Sequence, residues 1–314
     1  MGELPFEKIT RERIISEGFK FIKAEQPTTD HLLHNGIILI DKPAGPTSHQ
    51  VSDQIKKILN LKKAGHSGTL DPNVTGLLPV ALDKGTKIIQ ALLNAGKEYV
   101  CVMHIHQDVE EKKLRDIIMS FVGKIRQLPP VKSAVKRQER TREIYSIEIF
   151  EIKNRDVLFV VDCQGGTYIR KLCSDIGEKL GCGAHMAELR RTKAGPFNES
   201  QIINLHDLAD AFHEHKNGND VELRKIILPI ETGVKHLPKI WVKKTTVKSL
   251  CHGAQLKSMG VGAFESGIKK DDMVAVMTPE NKLLLIGNAK VTSKELSNNK
   301  SGLVVKTLRV FMSI

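Results

Sequence analysis

Two periodicities in the apolar positions divide this chain into its expected elements. Ile37-Ile38-Leu39-Ile40 is an uninterrupted apolar run that predicts a buried strand. After it, Asp41-Lys42-Pro43-Ala44-Gly45-Pro46-Thr47-Ser48 reads as a turn ending in a helix cap, and Val51, Ile55, Ile58 and Leu59 recur at helical spacing. A helix is expected around Thr86 to Leu93. From Glu98 to His106 a strict alternation puts Tyr99, Cys101, Met103 and Ile105 on one strand face and Val100, Val102, His104 and His106 on the other, so Tyr99 is expected to point inward. An amphipathic helix carries Leu114, Ile117, Ile118 and Phe121. A strand from Val157 to Cys163 runs through Gln164-Gly165-Gly166 into a helix with Ile169, Cys173, Ile176 and Leu180 on its inner face, closed by Gly181.

Further on, a helical stretch covers Leu205 to His215, and Leu228 to Lys239, with two prolines and one glycine, reads as a linker. Beyond it, strand-like Met273 to Met277, Leu283 to Ile286 and Leu303 to Val305, separated by glycines, suit a small β-rich barrel over 238–314. Residues 1–34 are charged and weakly patterned, an extension that must pack on something else or stay mobile.

Between the first two strand-and-helix units lies the run Gly65 to Val80, with a lone carboxylate, Asp71. Three glycines and two prolines argue against a long helix or regular strand there, leaving Asp71 on an irregular loop bordered by apolar residues. On the dipeptide Asp71-Pro72 alone, a turn with no chemistry is the stronger reading.

Composition narrows the functions available. The chain of 314 residues is long enough for roughly two domains, and 40% hydrophobic content supplies real cores. A net charge of +12 favours a polyanionic partner. No apolar run approaches the ~18 residues of a membrane span, and the N-terminus lacks a signal-peptide core, so a cytoplasmic protein with no membrane partner is expected. Five scattered cysteines show no Cys-x-x-Cys pair, and the histidines lack a third clustered ligand, so no metal is expected. Gly260-Val261-Gly262-Ala263-Phe264-Glu265 fails the dinucleotide fingerprint and no P-loop is present, so no cofactor is expected.

Two basic features call for anionic partners, and on charge alone RNA, DNA and an acidic membrane are all open as the polyanion. Lys132, Lys136, Arg137, Arg140 and Arg142 follow Pro129-Pro130 in a stretch suited to phosphates. Arg170 lies in the first turn of its helix, where a cation opposes the helix dipole and calls for an anionic partner, Asp71 being one candidate.

Five motifs occur together and in order: Asp-Lys-Pro-Ala-Gly-Pro-Thr-Ser at 41–48, Gly-His-Ser-Gly-Thr-Leu-Asp-Pro at 65–72, Gly-Lys-Glu-Tyr at 96–99, Gly-Thr-Tyr-Ile-Arg at 166–170 and Leu-Arg-Arg-Thr at 189–192. Together they resemble the dyskerin and TruB-type RNA pseudouridine synthases. The resemblance covers nearly the whole chain, since 238–314 looks like a PUA domain. The block Leu128 to Arg137, the N-terminal extension and the lack of a Lys-rich tail resemble the catalytic subunit of archaeal H/ACA ribonucleoproteins. Ser67 stands where many archaeal relatives have glycine, and Ser258-Met259-Gly260 lacks an expected PUA proline.

This resemblance implies an α+β fold: a mixed, mostly antiparallel central sheet flanked by helices over 35–230, then a small β-barrel PUA domain over 238–314. It implies isomerisation of uridine to pseudouridine, mainly in ribosomal RNA, with a stand-alone transfer-RNA synthase as the alternative and a non-catalytic RNA scaffold as a third reading. Asp71 would be catalytic. Arg170 would hold it ionised, Tyr99 would stack on a flipped base, and Tyr168 and Leu189 would line the uracil pocket. Lys42, Pro43 and His66 would support the loop, with a structural role for Lys42 preferred to a catalytic one. The basic stretch would close over RNA. Implied partners are a guide RNA, a target RNA and three small accessory proteins, one binding a kink-turn in the guide.

Overall fold

The computed structural model describes residues 2–129, 138–298 and 301–312. In chain order the elements are β1 (Arg13–Ile15), α1 (Thr29–Asn35), β2 (Ile37–Lys42), α2 (Ser48–Ile58), β3 (Ala64–His66), β4 (Thr75–Leu82), α3 (Ile89–Leu93), β5 (Lys97–Ile105) and α4 (Glu111–Met119). Then follow β6 (Gly123–Gln127), β7 (Arg140–Lys153), β8 (Asp156–Cys163), α5 (Ile169–Leu180), β9 (Ala184–Ala194), β10 (Phe197–Asn198), α6 (Leu205–Lys216) and α7 (Val221–Ile226). The C-terminal part holds β11 (Lys239–Val242), α8 (Lys244–Cys251), β12 (Leu256–Lys257), β13 (Val261–Glu265), β14 (Met273–Met277), β15 (Leu283–Ala289), α9 (Ser293–Ser297) and β16 (Leu303–Val310).

Two sheets organise these elements. The larger runs β2-β4-β9-β5-β8-β7-β6, with β3 added to β4 and β10 to β9. It is antiparallel except for the β4–β9 pair. The smaller runs β1-β13-β11-β14-β15-β16-β12.

The unbroken apolar run of β2 follows from its being covered on both faces. Ile38 and Ile40 pack with Leu78, Val80, Val51, Ile55 and Leu208 beneath α2 and α6. Ile37 and Leu39 face the opposite way, into a core shared with Trp241, Ala263, Ala275 and Ile286 of the smaller sheet. The α2 start is the expected one: Thr47 caps it in a reciprocal capping box with Gln50. A third core lies between β5, β7 and β8 and the helices α4 and α5, and it contains the inward set Tyr99, Cys101, Met103 and Ile105.

Two expectations need correction, and a third, left open between packing and mobility, is resolved. The run to Val80 is not irregular throughout, because β4 passes through both Gly76 and Pro79. Pro79 faces Leu39 across the ladder. The Leu39 carbonyl accepts instead from the Ile203 N–H (3.0 Å), so this is a non-hydrogen-bonded pair, and the proline's missing donor falls on the other edge. There β9 has already diverged, and the chain just past β3 meets Pro79 through one bond alone, from the Ser67 N–H to the Pro79 carbonyl (3.0 Å). Second, 228–239 is a packed connection rather than a loose linker, with Ile230, Val234 and Leu237 buried in the shared core. Third, the extension is fixed at both ends. Leu4 is fully buried beside Gly96, and β1 adds an antiparallel strand to β13. The Phe19 ring lies over Gly262 so closely that a Cβ there would meet it at 2.1 Å.

Candidate active site

The Asp71 loop joins β3 to β4 and is held from three sides. Lys42, fully buried at the end of β2, donates through Nζ to the carbonyls of Pro43 (2.8 Å), Pro72 (2.9 Å) and Val74 (2.9 Å). Burial lowers the pKa of this lysine, and three carbonyl acceptors replace its water. From α2, the Ser48 hydroxyl accepts from the Leu70 N–H (2.8 Å) and donates to the Leu70 carbonyl (3.1 Å). The Val74 N–H closes the turn onto the Asp71 carbonyl (3.0 Å). Leu70 and Val74 are buried in the same core as Tyr99, so Asp71 is carried at that core's margin, with 48% of its side chain exposed.

Arg170 reaches the Asp71 carboxylate directly, in an ion pair between residues 99 apart in sequence. The cation in the first turn of α5 thus has its anion. Tyr168 is the N-cap residue of α5 and is half-buried. Its backbone is clamped by Gln127: the Tyr168 N–H donates to Oε1 (3.0 Å) and Nε2 donates to the Tyr168 carbonyl (3.1 Å). Leu189, on β9 opposite Cys101, is half-buried against the same core.

Tyr99 is buried, with 8% exposed, so only a small part of its ring is open to a ligand. His66, on β3, has a buried Nδ1 without a hydrogen-bond partner, and burial together with Arg191 and His49 lowers its pKa, keeping it neutral. Pro43 is exposed and contributes its carbonyl to Lys42. Arg140 and Arg142 are half-buried on β7, and Arg142 lies beside Gly166. Lys132, Lys136 and Arg137 lie outside the described residues.

The residues set a single carboxylate, paired with one guanidinium, at the margin of an apolar core with further cations behind it. Comparison with known proteins decides what this arrangement belongs to. Residues 56–169 match the TruB family pseudouridylate synthase N-terminal domain, 170–235 the tRNA pseudouridylate synthase B C-terminal domain, and 238–311 the PUA domain. The chain belongs to the TruB family of pseudouridine synthases. Among its relatives, the probable tRNA pseudouridine synthase B of Methanopyrus kandleri is 49% identical over 98% of this chain and 93% of that protein. Its counterpart in Pyrococcus horikoshii is 52% identical over 92% of this chain and 86% of its own length.

Solved structures agree. A chain in a Cbf5-Nop10-Gar1 complex superposes with a TM-score of 0.93 at 48% identity, covering 99% of this chain and 96% of that one. A chain in an H/ACA ribonucleoprotein bound to a substrate RNA containing 2'-deoxyuridine gives 0.89 at 45% identity, covering 99% and 98%. As a TruB-family enzyme this chain is an RNA isomerase.

Sequence reasoning missed two side chains that the structure puts beside the site. Arg191, only 1% exposed, donates through Nε to the Leu77 carbonyl (2.7 Å) and lies opposite Tyr99. Its signal was available, since it is the second arginine of Leu-Arg-Arg-Thr. Gln127 had no signal: nothing local distinguishes it from any polar residue at a strand end.

Proposed function

We propose that this synthase works as the catalytic subunit of a guide-RNA-dependent particle in the cytoplasm, and that Asp71 is its one reacting carboxylate. The observation that carries the second part is the Asp71–Arg170 ion pair on a loop braced by Lys42 and Ser48. In the reaction the N1–C1′ bond of a uridine breaks, the base turns, and C5 joins C1′; N1 gains a proton and C5 loses one. No electron leaves or enters overall. An ionised Asp71 can attack C1′, assist departure of the base as a glycal forms, or add to C6, and each route needs the charged form that an adjacent guanidinium favours. Tyr99 supports the flipped base, Tyr168 and Leu189 line its pocket, and Lys42, Pro43 and His66 keep the loop in place. Arg140 and Arg142, with the basic residues before them, hold phosphates without reading bases.

Guide dependence is supported by the near full-length likeness to chains solved with Nop10, Gar1 and substrate RNA. Base pairing between guide and target would then select the uridine, with 238–314 holding the guide. A second reading, a stand-alone transfer-RNA synthase, is favoured by the names of the curated relatives. The test compares the purified chain alone with the chain assembled with guide RNA and accessory proteins, scoring pseudouridine in a guide-paired target and in a transfer-RNA transcript. Conversion of the target only in the assembled mixture is expected. Full conversion of the transfer RNA by the chain alone, with none of the guided target, would establish the second reading instead.

A further inference from the structure

Arg191 occupies the meeting point of three strands. On β9 it lies opposite Tyr99 of β5 and beside Gly76 of β4. A Cβ at Gly76 would come within 2.3 Å of the Arg191 carbonyl oxygen, so the two backbones are in close approach. The buried guanidinium spreads over both halves of the site. Nε donates to Leu77, and the two terminal nitrogens lie 3.4 Å from the carbonyl of Gly68, three residues before Asp71. Across the β5–β9 ladder it is paired with Tyr99, so the two side chains are neighbours on one face of the sheet.

We infer that Arg191 is a positioning residue for the isomerisation, fixing the base-supporting ring of Tyr99 relative to the loop that carries Asp71. The inference rests on the roles given above to Asp71 and Tyr99. Arginine suits the task because its planar fork can serve two partners in different directions, whereas a lysine ammonium on a flexible stem serves them as a point charge. A guanidinium buried at 1% exposure also has no solvent to turn toward, so the distance between ring and loop is set by one rigid group.

The test uses the assembled particle and a guide-paired RNA target, with Arg191→Lys, Tyr99→Phe and the double variant. Tyr99→Phe keeps the ring and removes only its polar group, so it probes the Arg191–Tyr99 pair even if Arg191→Lys folds poorly. Misplacement by about an ångström costs on the order of 100-fold in rate, so each single variant should slow single turnover by about 10- to 100-fold. Target-RNA affinity should stay at the parent value in both, and the melting temperature in Tyr99→Phe, whereas Arg191→Lys withdraws the donor from the buried Leu77 carbonyl and should melt somewhat lower. Because both changes disturb one cross-strand pair, the double variant should be no slower than the slower single one. A wild-type rate in either single variant, a rate loss that tracks the unfolded fraction, or losses that multiply in the double variant would each overturn the inference. Asp71→Asn run alongside separates the two levels. Turnover retained there overturns the assignment of Asp71, whereas an inactive Asp71→Asn beside a fully active Arg191→Lys overturns only the role of Arg191.

Discussion

His236 makes this fold sensitive to mild acid. It sits in the packed connection before β11, with 8% exposed, its ring edge-on to Phe6 of the N-terminal extension at 6.0 Å. Its Nε2 is 3.2 Å from the Ala91 carbonyl, and its Nδ1 is buried without a partner. Burial, with Lys97, Lys239 and Arg11 nearby, pushes its pKa down from 6.5 to about 4, so the folded protein holds it neutral. Below pH 6.5 the unfolded chain takes up a proton that the folded chain refuses. The stability contributed by the neutral ring is therefore complete above pH 6.5 and lost as the pH falls toward 4.

A shift of this size corresponds to about 3 kcal/mol in full, of which about 2 kcal/mol is gone by pH 5. At roughly 2 °C per kcal/mol for a chain somewhat larger than 250 residues, that is about 4 °C in melting temperature. His236→Gln keeps a donor for Ala91 and removes the titration. Melting curves by circular dichroism at pH 7.5 and 5.0 should show the parent losing about 4 °C more than His236→Gln. Parallel losses in the two proteins would refute the argument, because all other titrating groups are common to both.

Three further outcomes follow from the loop. Lys42→Met keeps the stem but withdraws the donor from three carbonyls; each buried acceptor left unpaired costs about 1–3 kcal/mol, so both melting temperature and turnover should fall, and an unchanged melt would show that Lys42 does not hold the loop. Gly76→Ala should disrupt the site severely, since φ is +100° and the new Cβ would strike the Arg191 backbone; wild-type turnover would contradict the close approach. Arg170→Ala should lower turnover sharply, since the Asp71 carboxylate loses the guanidinium that holds it; parent-level turnover would mean that Arg170 acts otherwise.

The elements that announced themselves in the sequence are those whose local pattern and tertiary role agree. The inward face of β5, the Thr47 cap and the Gly181 stop are of this kind. β9 is the opposite case. Its sequence Ala-His-Met-Ala-Glu-Leu-Arg-Arg-Thr-Lys-Ala is rich in helix formers, yet it lies between β5 and β4, where ladder pairing overrides propensity. Arg191 went unassigned for a related reason, because a charge in a polar stretch gives no local sign of being buried. Pro79 and Gly76 hid β4, since Pro79 is tolerated because its missing donor points away from β2, and Gly76 because it admits the close approach of the Arg191 backbone. The Asp71–Arg170 pair was open to anticipation because a cation in a helix's first turn needs an anion from elsewhere, and because the motif resemblance implied it.

The central claim, that one carboxylate carries the isomerisation, is tested most directly by Asp71→Asn in a particle assembled with guide RNA and target. Pseudouridine formation should disappear while guide and target binding remain at the parent level. Pseudouridine accumulating at the parent rate in that variant would contradict the account.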